Sequence, residues 1–206
     1  MFDIPNGRFM NDTKEHILKT AFCLFLQKSF KEVTMKEIVE KTGVSKGAFY
    51  HYFPSKESLF TEVLDTFLFR RLVVNYSILN RNSLYEFYHD YVNQFKNVLK
   101  EMLSVCDTDV NINYITILFD AMRLFPGFKE KLMRVMQEEL DAWKDIIKTS
   151  RKKGEFSSPM TDEQIAHIFI YSNDGIGLRL ILEGKASNIF DEMLTLWDNF
   201  YKEIKD

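Results

Sequence analysis

Apolar residues recur at Ile17, Leu18, Ala21, Phe22, Leu24 and Phe25, a wide stripe at helical spacing that predicts a helix from Asn11 to Lys28. Asn11, Asp12 and Thr13 offer caps at its start. A short helix follows, with Thr34 as N-cap, Glu37 as capping-box partner, and Ile38 and Val39 facing inward. Gly43 ends it and Ser45 caps the next piece, Lys46 to Tyr52, barely two turns long. Pro54-Ser55-Lys56 stops that piece, and Ser55 opens a helix running through Leu59, Phe60, Val63, Leu64 and Phe67. Downstream, helical periodicity covers Leu84–Leu103, Asn111–Leu124, Lys129–Lys153, Asp162–Leu182 and Asn188–Ile204. The breaks fall at 80–83, 106–109, 125–127, 154–159 and 184–187. The pattern predicts an all-α protein of about nine helices.

Composition narrows this picture. Among 206 residues, 46% are hydrophobic, enough for a sizeable core, and only 8 Gly and 4 Pro argue against a turn-rich β fold. No apolar run approaches the roughly 18 residues of a membrane helix, so no membrane partner is expected. The opening residues lack the basic start and apolar core of a secretory signal. Cys23 and Cys106 fall inside apolar helical patterns and read as reduced core thiols of a cytoplasmic protein. The net charge of −3 is unevenly spread. Residues 1–60 hold 9 basic against 7 acidic side chains, and residues 61–206 hold 18 against 23. A mildly basic head on an acidic body suits a chain that presents one end to a polyanion.

Thr34 to Lys56 is the informative stretch. Two short helices meet at a tight Gly-containing turn, and the second is too short to persist alone, since isolated helices under roughly 12 residues are marginal in water. Val44 and Phe49 are placed to anchor it, leaving Lys46, Gly47, Ala48, Tyr50 and His51 on the other face. A helix-turn-helix puts such a second helix in the major groove of DNA. The face offers a cation, small residues that permit close approach, and an aromatic hydroxyl for phosphate oxygens. Lys46 and Tyr50 rank first on these grounds. His16, His89 and His167 show no ligand spacing with His51, so no metal is expected.

Residues 11–60 resemble the DNA-binding domain of the TetR/AcrR family of transcriptional regulators. The resemblance rests above all on 34–39 (TMKEIV) and 43–59 (GVSKGAFYHYFPSKESL). It implies a cytoplasmic homodimer, usually a repressor, released from a palindromic operator by a small effector. It assigns Thr34 and Lys36 to the start of the supporting helix, touching phosphate or an edge base. Lys46, Gly47 and Ala48 take the base-reading positions behind the cap Ser45, and His51 meets a base or the backbone. Tyr50 and Tyr52 bond phosphates, and Lys56 neutralises one. The implied division is 1–58 for DNA binding and 59–206 for effector binding and dimerisation. Beyond residue 60 the resemblance extends only to length and helix order.

The body carries candidates of its own. Leu84, Tyr88, Tyr91, Phe95 and Met102 repeat at helical spacing, with Phe119 and Met122 from the next helix. Plain core is one reading of this stripe, and a pocket for a small hydrophobic or aromatic effector is the other. Asn173 and Asp174, inside the apolar segment 165–182, must find partners or face a ligand or solvent. The pocket candidates are therefore Tyr88, Tyr91, Phe95, Phe119, Met122 and Asn173. Ser172, Gly175 and Gly177 are small for a helix interior and suggest close approach of another helix. Together with Met193, Leu196, Trp197 and Phe200 they form a candidate dimer seam, the alternative being close packing within one subunit. The competing class is a helical enzyme or binding protein acting on a hydrophobic compound. The chain shows no Gly-rich phosphate loop, nucleophile elbow or metal-ligand spacing to support catalysis or a cofactor.

Overall fold

Helical periodicity becomes nine α-helices in the computed structural model, which describes residues 6–69, 74–104, 106 and 112–205, without the side chains of 6–11, 102, 103 and 112–114. They are α1 (Asn6–Gln27), α2 (Met35–Thr42), α3 (Lys46–Tyr52), α4 (Lys56–Val63), α5 (Leu84–Ser104), α6 (Ile112–Leu124), α7 (Phe128–Lys152), α8 (Asp162–Leu182) and α9 (Ile189–Lys205). No strand occurs among the described residues. Helix α1 begins five residues earlier than the predicted start at Asn11. Met102 lies outside the described side chains.

The helix opened by Ser55 is α-helical only to Val63 and widens into a π-helical turn over Leu64–Phe69. Periodicity cannot register such a turn, because the apolar face is kept. Phe67, fully buried in it, stacks on Phe22 of α1 with ring centroids 4.4 Å apart.

The described residues divide into two compact units. The first comprises 6–69, 101–104, 106 and 112–126. Its core is aromatic: Phe25 and Phe30 each meet Phe60 edge-on at 4.7 Å, and Phe125 lies 5.6 Å from Phe30. Asp120 of α6, a buried carboxylate, accepts the Phe30 N–H at 3.1 Å and the Arg123 guanidinium at 3.0 Å. This packing unit reaches beyond residue 58, since α4, the π turn and α6 all rest on α1 or its aromatic partners.

Cys23 of α1 and Cys106 are joined by a disulfide, with Cα atoms 5.2 Å apart across 83 residues of sequence. The expectation of two reduced core thiols is thereby overturned. Each sits in an unremarked apolar context, and only tertiary folding brings the two together.

The second unit comprises 74–100 and 127–205. Trp143 of α7 stacks on Phe169 of α8 at 4.7 Å, and Trp197 of α9 meets Trp143 edge-on at 5.5 Å. Glu155 anchors the start of α5, accepting the N–H groups of Leu84 and Tyr85 and the Tyr201 hydroxyl. At one margin of this core the Tyr76 hydroxyl donates to Glu139 at 3.0 Å, Tyr91 donates to the same oxygen at 3.4 Å, and Asn173 donates to Tyr91 at 3.3 Å. Burial, reinforced by the charge of Asp174, pushes the Glu139 carboxyl above its ordinary pKa against the opposing pull of the two hydroxyls.

Two outcomes follow from these features. Closing a loop of this length stabilises a fold by up to about 4.5 kcal/mol through the entropy of the unfolded chain. A thiol reductant should therefore lower the melting temperature by several degrees, and should leave Cys23→Ser unmoved; identical melts of the parent with and without reductant would show unpaired thiols. Second, an acid with a higher pKa folded than unfolded destabilises the folded state once ionised. Glu139→Gln should raise the melting temperature at about pH 8, and the gain should fade as pH drops through the raised carboxyl range. A variant that melts lower than the parent at pH 8 contradicts this.

Candidate nucleic-acid interface

The turn between α2 and α3 is built by local chemistry. Thr34 Oγ1 accepts the Glu37 N–H at 3.1 Å and so caps α2. Glu37, the expected reciprocal partner, gives its carboxylate mainly to Lys28 of the α1–α2 connection at 2.6 Å. That bond is the chief reason its pKa lies below the usual carboxylate value. Gly43 closes α2 in the left-handed conformation (φ 64°), its N–H bonded to the Val39 carbonyl at 3.2 Å. His16 Nε2 lies 3.1 Å from the Thr42 carbonyl, tying α1 to the end of α2. Ser45 then caps α3, accepting the Ala48 N–H at 3.3 Å.

Helix α3 has seven residues, and Phe49 alone among them is fully buried. Lys46, Gly47, Ala48, Tyr50 and His51 are all exposed, whereas Tyr52 is half-buried with its ring 5.6 Å from His51. A Cβ built on Gly47 would meet nothing within 4 Å, so the fold itself places no demand for glycine there. Thr34, Ser45 and Lys36 are exposed beside this face, and Lys36 makes a 3.7 Å ion pair with Glu40.

Lys56 departs from expectation. Its ammonium donates to the carbonyls of Phe30 and Val33, each at 2.8 Å, and lies 4.4 Å from the centroid of the Phe30 ring. The lysine that the resemblance assigns to phosphate thus fastens the α1–α2 connection to the start of α4. The reason is geometric: the carbonyls between α1 and α2 have no helical partners, and Lys56 begins the helix that passes them.

The candidates in the body separate. Tyr91, Phe95 and Asn173 come together, Tyr91 and Phe95 with rings 6.2 Å apart. Tyr88 turns fully into the core and donates to Asp198 at 2.6 Å. Phe119, 66% exposed, and Met122 lie on α6 of the first unit. Sequence reasoning missed Tyr76 and Glu139. The signal for Glu139 was available: it stands one turn before Trp143 on the face of α7 that continues through Ile146, Ile147 and Ser150, all buried.

The seam candidates also divide. Met193 and Trp197 are fully buried within their own chain and are not available to a partner, a correction imposed by the width of the α9 core face. Ser172 is small because its hydroxyl accepts the Trp197 indole N–H at 2.8 Å. Phe200 is half-buried against Phe169. Gly175 and Gly177 have open space where a Cβ would stand, which removes close packing within the subunit as their explanation. Tyr171, Leu178 and Leu182 of α8, exposed by 62, 47 and 63%, run along the same side as Gly175 at spacings of three and four, and Leu196 of α9 is exposed as well.

Comparison with known proteins agrees with this architecture. Residues 17–63 match the model of the bacterial regulatory proteins of the tetR family. The HTH-type transcriptional regulator YfiR of Bacillus subtilis is 28% identical over 180 residues, 80% of this chain and 81% of that protein. The HTH-type transcriptional repressor NemR of Escherichia coli is 40% identical over 60 residues, 29% of this chain and 30% of its own. Among solved structures, a TetR-family regulator from Agrobacterium tumefaciens superposes with a TM-score of 0.68 at 14% identity, covering 96% of this chain and all of that one. The reduced form of E. coli NemR superposes with a TM-score of 0.62 at 20% identity, covering 91% and 97%. With its head built as α1–α2–turn–α3 around Phe49, the chain carries the DNA-binding head of the bacterial regulatory proteins of the tetR family over residues 17–63, and its whole length follows the fold of TetR-family regulators.

Proposed function

We propose that the protein is a cytoplasmic, homodimeric repressor that binds a palindromic operator through residues 1–58 and is released by a small hydrophobic or aromatic effector held by the remainder of the chain. The observation that carries this reading is the outer face of α3. Lys46, Gly47, Ala48, Tyr50 and His51 are exposed on it, Tyr52 is half-buried at its end, and Phe49 is the one fully buried residue that holds the helix down. Lys46, Gly47 and Ala48 would stand nearest the base edges, Thr34, Lys36, Ser45, Tyr50 and Tyr52 nearest the phosphates, and His51 at either. Lys56 would contribute only the ammonium proton its two carbonyl bonds leave over.

A two-turn reading helix discriminates few base pairs, so specificity calls for two heads about 34–36 Å apart on a two-fold axis. The exposed stripe of Tyr171, Gly175, Leu178 and Leu182, with Leu196, suits a self-complementary seam across that axis. An effector acts by favouring one relative arrangement of the heads over another; equal affinity for both would change nothing.

Two experiments test this reading. Site selection from a random duplex library should return a palindrome, with affinity falling as salt rises, by a log–log slope of about −0.9 per phosphate neutralised. Lys46→Ala should change the selected sequence. Tyr50→Phe should weaken all sites alike by about 1 kcal/mol. Gly47→Leu should fold as the parent does and abolish binding by excluding the duplex. No sequence preference in the parent, or full binding by Gly47→Leu, would remove α3 from base reading. For the seam, Leu178→Glu combined with Leu182→Glu should sediment as a monomer and lose operator affinity by at least about 100-fold; a dimer that survives both charges places the seam elsewhere.

A further inference from the structure

Glu139 carries a charge that no described cationic side chain answers. It sits half-buried on α7 and accepts only the hydroxyl protons of Tyr76 and Tyr91. Asp174 of α8 stands close enough to act on it electrostatically, and Asp174 is itself raised in pKa by burial. A half-buried carboxylate without a counter-ion, with a second carboxylate at the exposed rim beside it, is costly unless a cation arrives from outside.

Aromatic rings pack beside Glu139. Tyr76 and Tyr91 lie nearly parallel at 6.3 Å, Trp143 is 5.4 Å from Tyr91, and Phe190 meets Phe95 edge-on at 5.6 Å. Trp143, one turn beyond Glu139 and part of this same ring cluster, is fully buried with its indole N–H unmatched by any acceptor. An unmatched buried donor marks a place where a further group belongs.

We propose that Glu139, with Asp174, Asn173 and the rings of Tyr76, Tyr91 and Phe95, recognises a lipophilic organic cation, an aromatic ammonium or quaternary ammonium compound. This identifies the chemical class of the effector and rests on the effector-release reading above. The chemistry distinguishes such a cation from a metal ion. Small divalent ions need several oxygen ligands to replace their water, and the described residues contain no cluster of metal-ligating side chains. A bulky organic cation is weakly hydrated, gains from ring faces, and needs only a diffuse negative partner. Polarity within the site follows the same logic: Tyr76 and Tyr91 keep the carboxylate oriented toward the rings, and Asn173 fixes the Tyr91 hydroxyl.

The test uses the whole 206-residue chain and charge-matched probes. The protein's two tryptophans, Trp143 and Trp197, both lie in the ring cluster, so intrinsic fluorescence reports occupancy. Tetraphenylphosphonium, with benzyltrimethylammonium as a smaller probe, should quench it saturably, and tetraphenylborate, of like shape and opposite charge, should not. Glu139→Gln should weaken cation binding at least about tenfold and Asp174→Asn by a smaller factor, whereas Glu203→Gln on the exposed side of α9 should leave it unchanged. Equal quenching by tetraphenylborate, absence of saturable quenching by either cation, or undiminished affinity in Glu139→Gln overturns the site. Anisotropy of a labelled operator fragment separates the two layers of the argument. Glu139-dependent binding that leaves operator affinity unchanged supports the cation site and refutes the effector reading. Operator release by neutral aromatic compounds in parent and Glu139→Gln alike, without charge-selective quenching, refutes the site and leaves the effector reading standing.

Discussion

Everything at the head depends on the burial of one ring. Helix α3 is too short to hold itself, and no sum of caps and propensities over seven residues overcomes the cost of nucleating it. Phe49, enclosed by its own unit, supplies the missing free energy, and the Ser45 cap and the Gly43 turn set the angle at which the helix leaves. Because only one residue is fully committed inward and Tyr52 only half so, the other five residues of α3 are free to face outward. A longer helix would need more anchors and would have fewer positions left for recognition.

The surroundings of α3 are fastened by specific ties. Lys56 binds the two carbonyls between α1 and α2, Lys28 pairs with Glu37, and the disulfide from Cys23 to Cys106 adds a covalent tie within the same unit. Asp120 extends the arrangement to α6 through the Phe30 N–H. A recognition surface of two turns tolerates little misplacement, and these ties act on the elements that support it rather than on the surface itself.

The second unit follows a different rule. Its centre is a close stack of Trp143, Phe169 and Trp197, an apolar interior with good ring geometry. Its margin, at half-buried Glu139, keeps a carboxyl group where a core optimised for stability alone would place none. The price of that charge in folding free energy is intelligible if the margin is reserved for a ligand.

Helix existence, order and most boundaries were legible in the residues, as were the caps Thr34, Ser45 and Ser55 and the inward role of Phe49. These are local matters: an N-cap acts on an N–H three residues away, and periodicity is a property of neighbours on one face. The pairing of Cys23 with Cys106, the capture of Lys56 by backbone carbonyls, the burial of Met193 and Trp197, and the gathering of Tyr76, Tyr91, Glu139 and Asn173 were not legible. Each joins residues from separate elements, 23 to more than 80 positions apart in the case of the bonded pairs. An amphipathic pattern states that a face is apolar without stating which part of it meets its own core and which is left for a partner. That choice belongs to tertiary packing, because burial depends on what the rest of the chain brings to the face.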